Sequence, residues 1–201
     1  MKSYTPDQLD EVIRKCQRGD RKHQKLIYEM FYGKMLGVCI RYAGHIDLAK
    51  DFLQDGFIKA FIRLKKYDFK GSFEGWLRRI IVNNIIDLMR KQRVFFTDGL
   101  MLEQNLKTHQ EVDDYDDSEM GKLKKLTSDE ILQQVQSLSP AYRAVFNLYV
   151  VEGFSHKEIA KMLDISEGSS KSNLARAKLK LQKLIKNYYE LKYGKIEIKN
   201  I

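Results

Sequence analysis

The fold of the second half of the chain is decided by residues 155–176, which read SHKEIAKMLDISEGSSKSNLAR. Ser155 and Glu158 have the S-x-x-E spacing of a capping box, which marks the first turn of a helix. Apolar residues then recur on one helical face at Ile159, Ala160 and Leu163. After a short turn, Ser166 is placed to cap a second helix. The stretch therefore predicts a helix–turn–helix, in which the small Ala160 allows close approach of the two helices.

The second of these helices is basic. It carries Lys171, Arg176 and Lys178, and no acidic residue lies between Glu167 and Glu190. Its polar and cationic side chains can reach base edges or phosphates in a DNA major groove. The candidates for this role are Ser169, Lys171, Ser172, Asn173, Arg176 and Lys178. The pattern alone leaves open an ordinary helix pair with a solvated lysine face.

Two further helices are predicted before this pair. One begins near Thr127 or Ser128, and the other begins at Ser139-Pro140, with Ser as cap and Pro in the first position. Their apolar positions are expected to face the core; they include Ile131, Val135, Leu138, Tyr142, Val145, Phe146 and Tyr149. Gly153 is expected to end the second of them.

Four helices are predicted in the first part of the chain. Caps, glycines and helical periodicity give approximate bounds of Thr5 to Gly19, Asp20 to Gly44, Asp47 to Leu64, and Ser72 to Arg93. The third helix carries large apolar residues, and Ile62 is one of them. Residues 65–72 contain two aromatics and Gly71, and we interpret them as a loop.

The fourth helix and the loop before it combine aromatic, cationic and amide side chains. Unpaired bases need such groups as stacking planes, phosphate neutralisers and edge readers. The candidates are Tyr67, Phe69, Phe73, Trp76, Arg78, Arg79, Asn83, Asn84, Arg90 and Lys91. For Trp76 taken alone, the pattern favours a core position. The adjacent amides Asn83 and Asn84 cost helix propensity and indicate a polar contact.

Charge is partitioned along the chain. The 201 residues carry a net charge of +9, yet residues 97–121 contain eight acidic side chains and one basic, Lys107. Residues 95–127 are therefore predicted to be an acidic, flexible linker, and a solvated spacer is the simplest interpretation of it. The remaining sequence is strongly basic, which indicates a polyanionic partner.

Several classes of protein are disfavoured by composition. Two prolines argue against a turn-rich β fold, and 43% hydrophobic residues argue against global disorder. Cys16 and Cys39 have no CxxC spacing, and the four histidines are scattered, so no metal site and no cofactor are expected. No apolar run reaches transmembrane length and no secretory leader is evident. We therefore expect a soluble, cytoplasmic, all-α protein.

With these segments identified, the chain resembles bacterial sigma factors of the extracytoplasmic-function (ECF) group. Residues 49–57, AKDFLQDGF, are similar to the A-E-D-L-V-Q-E-x-F stretch of region 2, and residues 73–90 are similar to its F-x-x-W-L-x-R-I-A-x-N-x-x-x-D-x-x-R stretch. Residues 138–185 resemble region 4 through LSP at 138–140 and EGFSHKEIA at 152–160. The resemblance implies a region 2-like domain at 1–94, a region 4-like domain at 128–190, and an unassigned tail at 191–201.

The resemblance also implies partners and residue roles. The face of the third helix that docks the β′ clamp helices of core RNA polymerase would contain Asp51, Gln54 and Asp55. From the pattern alone, this face is interpreted as simply solvent-exposed. Asn83 would capture a base flipped from the promoter −10 element, beside Tyr67, Phe69 and Phe73, and the helix-turn-helix would bind the −35 element. The β subunit and an anti-sigma factor are further partners of such proteins. The linker would thread a positive channel of the polymerase.

Three residues depart from the family pattern, and two other functions remain as alternatives. Lys50 replaces a customary acid, Gly56 lies mid-helix, and Ser170 replaces an apolar anchor, at a cost of ~1–2 kcal/mol of lost burial. A stand-alone helix-turn-helix regulator would leave the first domain unexplained. An enzyme such as a nuclease would need a carboxylate or His cluster outside the linker, so no catalytic residue is predicted.

Overall fold

The computed structural model describes residues 4–91 and 126–194. The chain divides into an N-terminal and a C-terminal unit, with the division after Lys91. Every regular element in the described ranges is helical, so the predicted all-α fold is confirmed. The predicted acidic linker lies outside the described residues except for Leu126 and Thr127.

The N-terminal unit contains four α-helices, close to the predicted bounds. They are α1 (Pro6–Gln17), α2 (Arg21–Tyr42), α3 (Ile46–Arg63) and α4 (Phe73–Lys91), with a 3-10 turn at Leu64–Lys66. The capping box of Thr5 and Gln8 is present, and the Asp20 carboxylate accepts from two backbone amides of α2. His45, which sequence reasoning missed, caps α3 through its ring nitrogen.

A close approach of α3 to α4 explains the glycine in the middle of α3. A Cβ atom at Gly56 would lie 2.8 Å from Cγ1 of the fully buried Ile81. Because such a contact is too short for two carbon atoms, any larger residue would push the helices apart. The cost in helix propensity expected for Gly56 is therefore offset by tighter packing in the core of this unit.

The C-terminal unit is also built from helices in its described part. They are α5 (Ser128–Gln136), α6 (Pro140–Phe146), α7 (His156–Leu163) and α8 (Glu167–Tyr193), with a π-helical turn at Asn147–Val151 after α6. Its core cluster comprises Val135, Leu138, Tyr142, Ala177 and Leu181. The predicted capping box of Ser155 and Glu158 is present, and Asp164 makes the turn after α7 at φ +56°. Asp adopts this left-handed conformation more readily than most residues.

Two local expectations were wrong. Ile131 and Tyr149 were expected to face the core, but they are 38% and 39% exposed. Each lies at the margin of an apolar helical stripe, where spacing alone does not distinguish buried from exposed positions. Ser139 does occupy the cap position of α6, but its hydroxyl makes no capping hydrogen bond.

The end of α8 extends beyond the predicted domain limit. Residues 191–193 were placed in an unassigned tail, but they are helical. Lys192 pairs with the Glu130 carboxylate at the start of α5, and Tyr188 donates a 2.7 Å hydrogen bond to the same group. The pKa of Glu130 falls to about 2, mainly because Lys192 and then the Thr127 amide and Tyr188 favour the charged form. The last turns of α8 therefore belong to the C-terminal unit.

Candidate nucleic-acid interface

The aromatic side chains around the loop at 65–72 form one continuous cluster. The Tyr67 ring centroid lies 5.0 Å from that of Phe69, 5.3 Å from that of Phe73 and 5.3 Å from that of Trp76. Phe73 and Trp76 stack at 5.5 Å. These tilted and stacked arrangements are favourable for aromatic rings. The cluster ties the loop to the first turn of α4.

Burial divides this cluster into two layers. Tyr67 and Phe73 are 5% and 4% exposed, so neither offers a ring face to a base in this conformation. The Tyr67 hydroxyl donates a 2.9 Å hydrogen bond to the Gly71 carbonyl. This corrects the expectation of direct contact for both residues, because they are the packed layer that shapes the loop. Phe69 and Trp76 are half-buried and present part of their rings at the surface.

The two adjacent amides of α4 also have different environments. Asn83 is half-buried and accessible, whereas Asn84 is 1% exposed. No hydrogen-bond partner for either amide atom of Asn84 is found among the described residues. Asn84 therefore cannot contact DNA in this conformation, and its inclusion among the contact residues is corrected. Asn83 keeps the accessible position that the predicted role requires.

The cationic candidates on α4 lie at or near the surface. Arg79, Arg90 and Lys91 are exposed, and Arg78 is half-buried. Arg90 pairs with Asp87 at 3.3 Å, and Lys59 of α3 lies 3.9 Å from the same carboxylate. Exposed ion pairs of this kind contribute little to stability, so these cations stay available to a phosphate.

The predicted docking face of α3 is exposed at Asp51, Gln54 and Asp55. Ile58 and Ile62 continue it at helical spacing and are 51% and 74% exposed. Exposed isoleucines beside carboxylates form an amphipathic surface of the kind that binds a partner helix. Sequence reasoning missed Ile58 and named Ile62 only as an apolar residue of the helix, although the i, i+4, i+7 and i+11 spacing of residues 51, 55, 58 and 62 was a usable signal.

On α8, most of the predicted groove residues are accessible. Lys171, Ser172 and Lys178 are exposed, and Ser169 and Arg176 are half-buried. Asn173 is 3% exposed, so it packs against the rest of the unit and its predicted DNA contact is corrected. The Ser166 hydroxyl accepts from the Ser169 amide at 2.9 Å, which fixes the first turn of α8.

Ser170 has a polar partner in place of the apolar packing that its position usually provides. It is fully buried, and its hydroxyl lies 2.9 Å from Nδ1 of His156 at the start of α7. The His156 ring stacks on Tyr149 with centroids 4.5 Å apart and planes 21° apart. Tyr149, His156 and Ser170 thus connect the π-helical turn, α7 and α8. A satisfied hydrogen bond offsets part of the burial that an apolar residue would contribute.

Residues 4–91 and 126–194 offer no cluster of three or more His, Cys, Asp or Glu side chains suited to a metal ion. In those same ranges, no helix is both long and apolar enough to cross a bilayer. Burial raises the pKa of the Cys16 thiol to about 11 and that of Cys39 to about 12. Both thiols are therefore packing residues rather than nucleophiles.

Two family models match the chain, one in each unit. Sigma-70 region 2 matches residues 27–94, and Sigma-70 region 4 matches residues 128–181. The chain is 27% identical over 187 residues to the ECF RNA polymerase sigma factor SigW of Bacillus subtilis, which covers 89% of this chain and 97% of that protein. It belongs to the sigma-70 family, in the ECF group.

Other relatives agree with this assignment. The chain is 25% identical over 170 residues to the ECF RNA polymerase sigma-E factor of Haemophilus influenzae, which covers 83% of this chain and 89% of that one. Among solved structures, it is similar to the sigma factor RpoE in complex with the anti-sigma factor NepR from Bartonella quintana. That likeness has a TM-score of 0.47 and 22% identity, and it covers 81% of this chain and 96% of that one.

The protein is thus a promoter-recognition sigma factor. The Sigma-70 region 2 match includes α3, the loop and α4, and the region 4 match includes α5, α6, α7 and most of α8. The candidate surfaces described above therefore lie within the two regions that define the family.

Proposed function

We propose that three surfaces of this sigma factor bind different partners during initiation. The exposed face of α3 binds core RNA polymerase, α4 with its loop binds the single-stranded −10 element, and α8 binds the duplex −35 element. The observation that carries this proposal is the accessible surface of α4, where Trp76, Asn83 and Arg79 combine a ring, an amide and a cation. Unpaired bases are bound by these three kinds of group.

The energetics are consistent with base capture by this surface. Flipping one base out of a duplex costs a few kcal/mol. Stacking on an aromatic side chain returns ~1–3 kcal/mol per base. Capture of one or two bases beside Trp76 and Phe69 would offset local opening, and binding to the polymerase supplies the remainder.

The domain limits proposed for this division are 1–94 for region 2, 95–127 for the linker and about 128–193 for region 4. The acidic linker is proposed to follow a positively charged channel of the polymerase, because its eight carboxylates resemble the charge of a nucleic-acid strand. An anti-sigma factor is a further partner expected from the family, and the cytoplasm is the expected location. The sigma factor itself is proposed to carry out no chemistry.

Core binding is tested by charge reversal on α3. Asp51→Arg places a cation in the proposed interface and should weaken binding to core polymerase by about tenfold, since like or mismatched charges across an interface are costly. The matched control is Glu29→Arg on α2, an exposed acid that pairs only loosely with Lys25 at 3.7 Å. Affinity is measured by titrating labelled sigma factor with core enzyme.

Equal affinities for the Asp51→Arg and Glu29→Arg proteins would contradict the proposed docking face. The alternative function, a stand-alone helix-turn-helix regulator, predicts sequence-specific duplex binding without core enzyme. If the protein were such a regulator, the Asp51→Arg and Glu29→Arg proteins would both bind duplex DNA as the unmodified chain does.

A further inference from the structure

One face of α1 contacts the loop that precedes α4. Asp10, Arg14 and Gln17 follow one another at spacings of four and three residues, so they share a helical face. The Gln17 side-chain amide donates to the Leu64 carbonyl at 3.1 Å and to the Tyr67 carbonyl at 2.9 Å. These two bonds join positions that are 47 and 50 residues apart in the chain.

The two carbonyls bound by Gln17 lie on either side of the 3-10 turn. Leu64 begins the turn, and Tyr67 follows its last residue. Phe69 lies two residues after Tyr67 in the same loop, so one side chain binds the backbone at the turn that leads from α3 to Phe69. A half-buried amide that makes two hydrogen bonds is a specific anchor. Without it, the Leu64 carbonyl still accepts from the Tyr67 amide, whereas the Tyr67 carbonyl loses the Gln17 donor.

Arg14 acts on the same loop at its most unusual residue. Phe69 has φ +62°, a left-handed conformation that is rare for a bulky side chain and costs free energy. The Arg14 guanidinium lies 4.1 Å from the Phe69 ring centroid, a cation–π contact that holds the ring from the side of α1. The strained residue of the loop is therefore contacted from another helix.

The family match does not account for this arrangement, because the region 2 match begins at residue 27 and α1 ends at Gln17. We propose that α1 presets the loop for recognition of the −10 strand, with Gln17 as a positioning residue and Arg14 as the residue that holds Phe69. This inference rests on the proposed function of the loop. A surface already in its bound shape loses less free energy on binding than one that must be ordered.

The test compares variants of Gln17 in reconstituted holoenzyme. Gln17→Met keeps the size of the side chain and removes both donors, while Gln17→Lys keeps a hydrogen-bond donor at the end of a flexible side chain. The readout is the ratio of run-off transcription from two promoters that differ only in the −10 element. Gln17→Met should lower this ratio by about fivefold, the effect of one ordinary hydrogen bond, and Gln17→Lys should restore most of it.

Two further measurements separate positioning from general destabilisation. Affinity for core polymerase should change little in both Gln17 variants, and the midpoint of thermal unfolding should stay well above the assay temperature. Arg14→Ala should also lower the ratio of transcription from the two promoters. The control Arg18→Ala, which removes an equal charge from the C-cap of α1, should not.

Each outcome decides the inference. An unchanged −10 ratio in Gln17→Met, or a loss of core affinity equal to the loss of −10 discrimination, would overturn it. Asn83→Ala is run alongside, because it tests the loop and α4 surface without involving α1. If Asn83→Ala lowers the ratio and Gln17→Met does not, the α1 inference fails alone; if neither does, the proposed −10 function fails as well.

Discussion

At the scale of single residues, the adjacent amides of α4 make the sharpest contrast. Asn83→Ala should reduce −10 discrimination with little effect on stability, because Asn83 is accessible. Asn84→Ala should leave transcription unchanged and raise the free energy of unfolding by about 1 kcal/mol, because it removes a buried amide that has no partner among the described residues. Urea denaturation and run-off transcription of both variants measure the two effects.

If Asn84 contacts the DNA, Asn84→Ala should lose −10 discrimination. That result would require Asn84 to leave the core when DNA binds. A drop in stability of Asn84→Ala would instead mean that the packing lost with the side chain outweighs the cost of burying its amide.

Sequence reasoning identified the types of residue in this surface but not their depth. Tyr67, Phe73, Phe69 and Trp76 are all aromatic, yet the first two are buried and the last two are accessible. Side-chain depth depends on contacts with distant segments such as α1, and local spacing contains no record of them. The strained backbone at Phe69 could not be predicted for the same reason.

At the scale of elements, the connection between α7 and α8 is a polar one. Ser170→Ala should lower the free energy of unfolding by about 1 kcal/mol, because Nδ1 of His156 loses its hydrogen-bond partner. His156→Asn places a polar atom near the position of Nδ1 and should retain more stability than His156→Gln, whose amide matches the other ring nitrogen. Denaturation and −35 duplex binding are measured together.

A double-mutant cycle on His156 and Ser170 is the control for this contact. Residues in direct contact show coupling of about 0.5 kcal/mol or more. Additive effects of His156→Ala and Ser170→Ala would contradict the connection between α7 and α8 described above.

The contact between α5 and the end of α8 predicts a pH dependence. The pKa of Glu130 is lowered from 4.5 to about 2, so the charged form is favoured by folding. Its stabilising effect is complete above about pH 4.5 and is lost as the pH falls toward about 2. Glu130→Gln should therefore be less stable than the unmodified chain at about pH 6, and the difference should shrink on acidification.

Denaturant titrations at a series of pH values check this dependence. A constant difference in unfolding free energy between the two proteins across the acid range would show that Glu130 is not held in its charged form by Lys192, Thr127 and Tyr188.

Helix starts were predicted well because they depend on local hydrogen bonds. The predicted capping boxes at Thr5 and Ser155 each lie within four residues of sequence and are present in the structure. A capping box at Thr127 was not predicted, although the helix start there was. The π-helical turn at Asn147–Val151 and the helical residues 191–193 were not predicted. Local sequence does not predict that residues 191–193 are helical, because Glu130, the partner of Lys192, lies 62 residues away.

At the scale of the whole molecule, charge governs how DNA is bound. Neutralising a phosphate releases counterions, so the logarithm of affinity falls with the logarithm of salt by about 0.9 per contact. Lys171→Ala should reduce this slope by about one in binding to a −35 duplex by the holoenzyme. The control Lys22→Ala removes an exposed cation from the first turn of α2 and should leave the slope unchanged.

A slope that is the same for Lys171→Ala and the unmodified holoenzyme would remove Lys171 from the DNA interface.

The partition of charge was visible in the sequence, since the net charge of +9 conceals an acidic segment between two basic ones. Which of the basic side chains are accessible required the structure, and Arg143, which is 5% exposed, is an example of one that is not.

Run-off transcription from a randomised promoter library tests the central claim most directly. Core polymerase with this sigma factor should initiate at promoters that share one −35 and one −10 sequence, and Asn83→Ala should relax the −10 preference while leaving the −35 preference intact. Absence of any specific transcript, or promoter selection that does not depend on either element, would contradict the account.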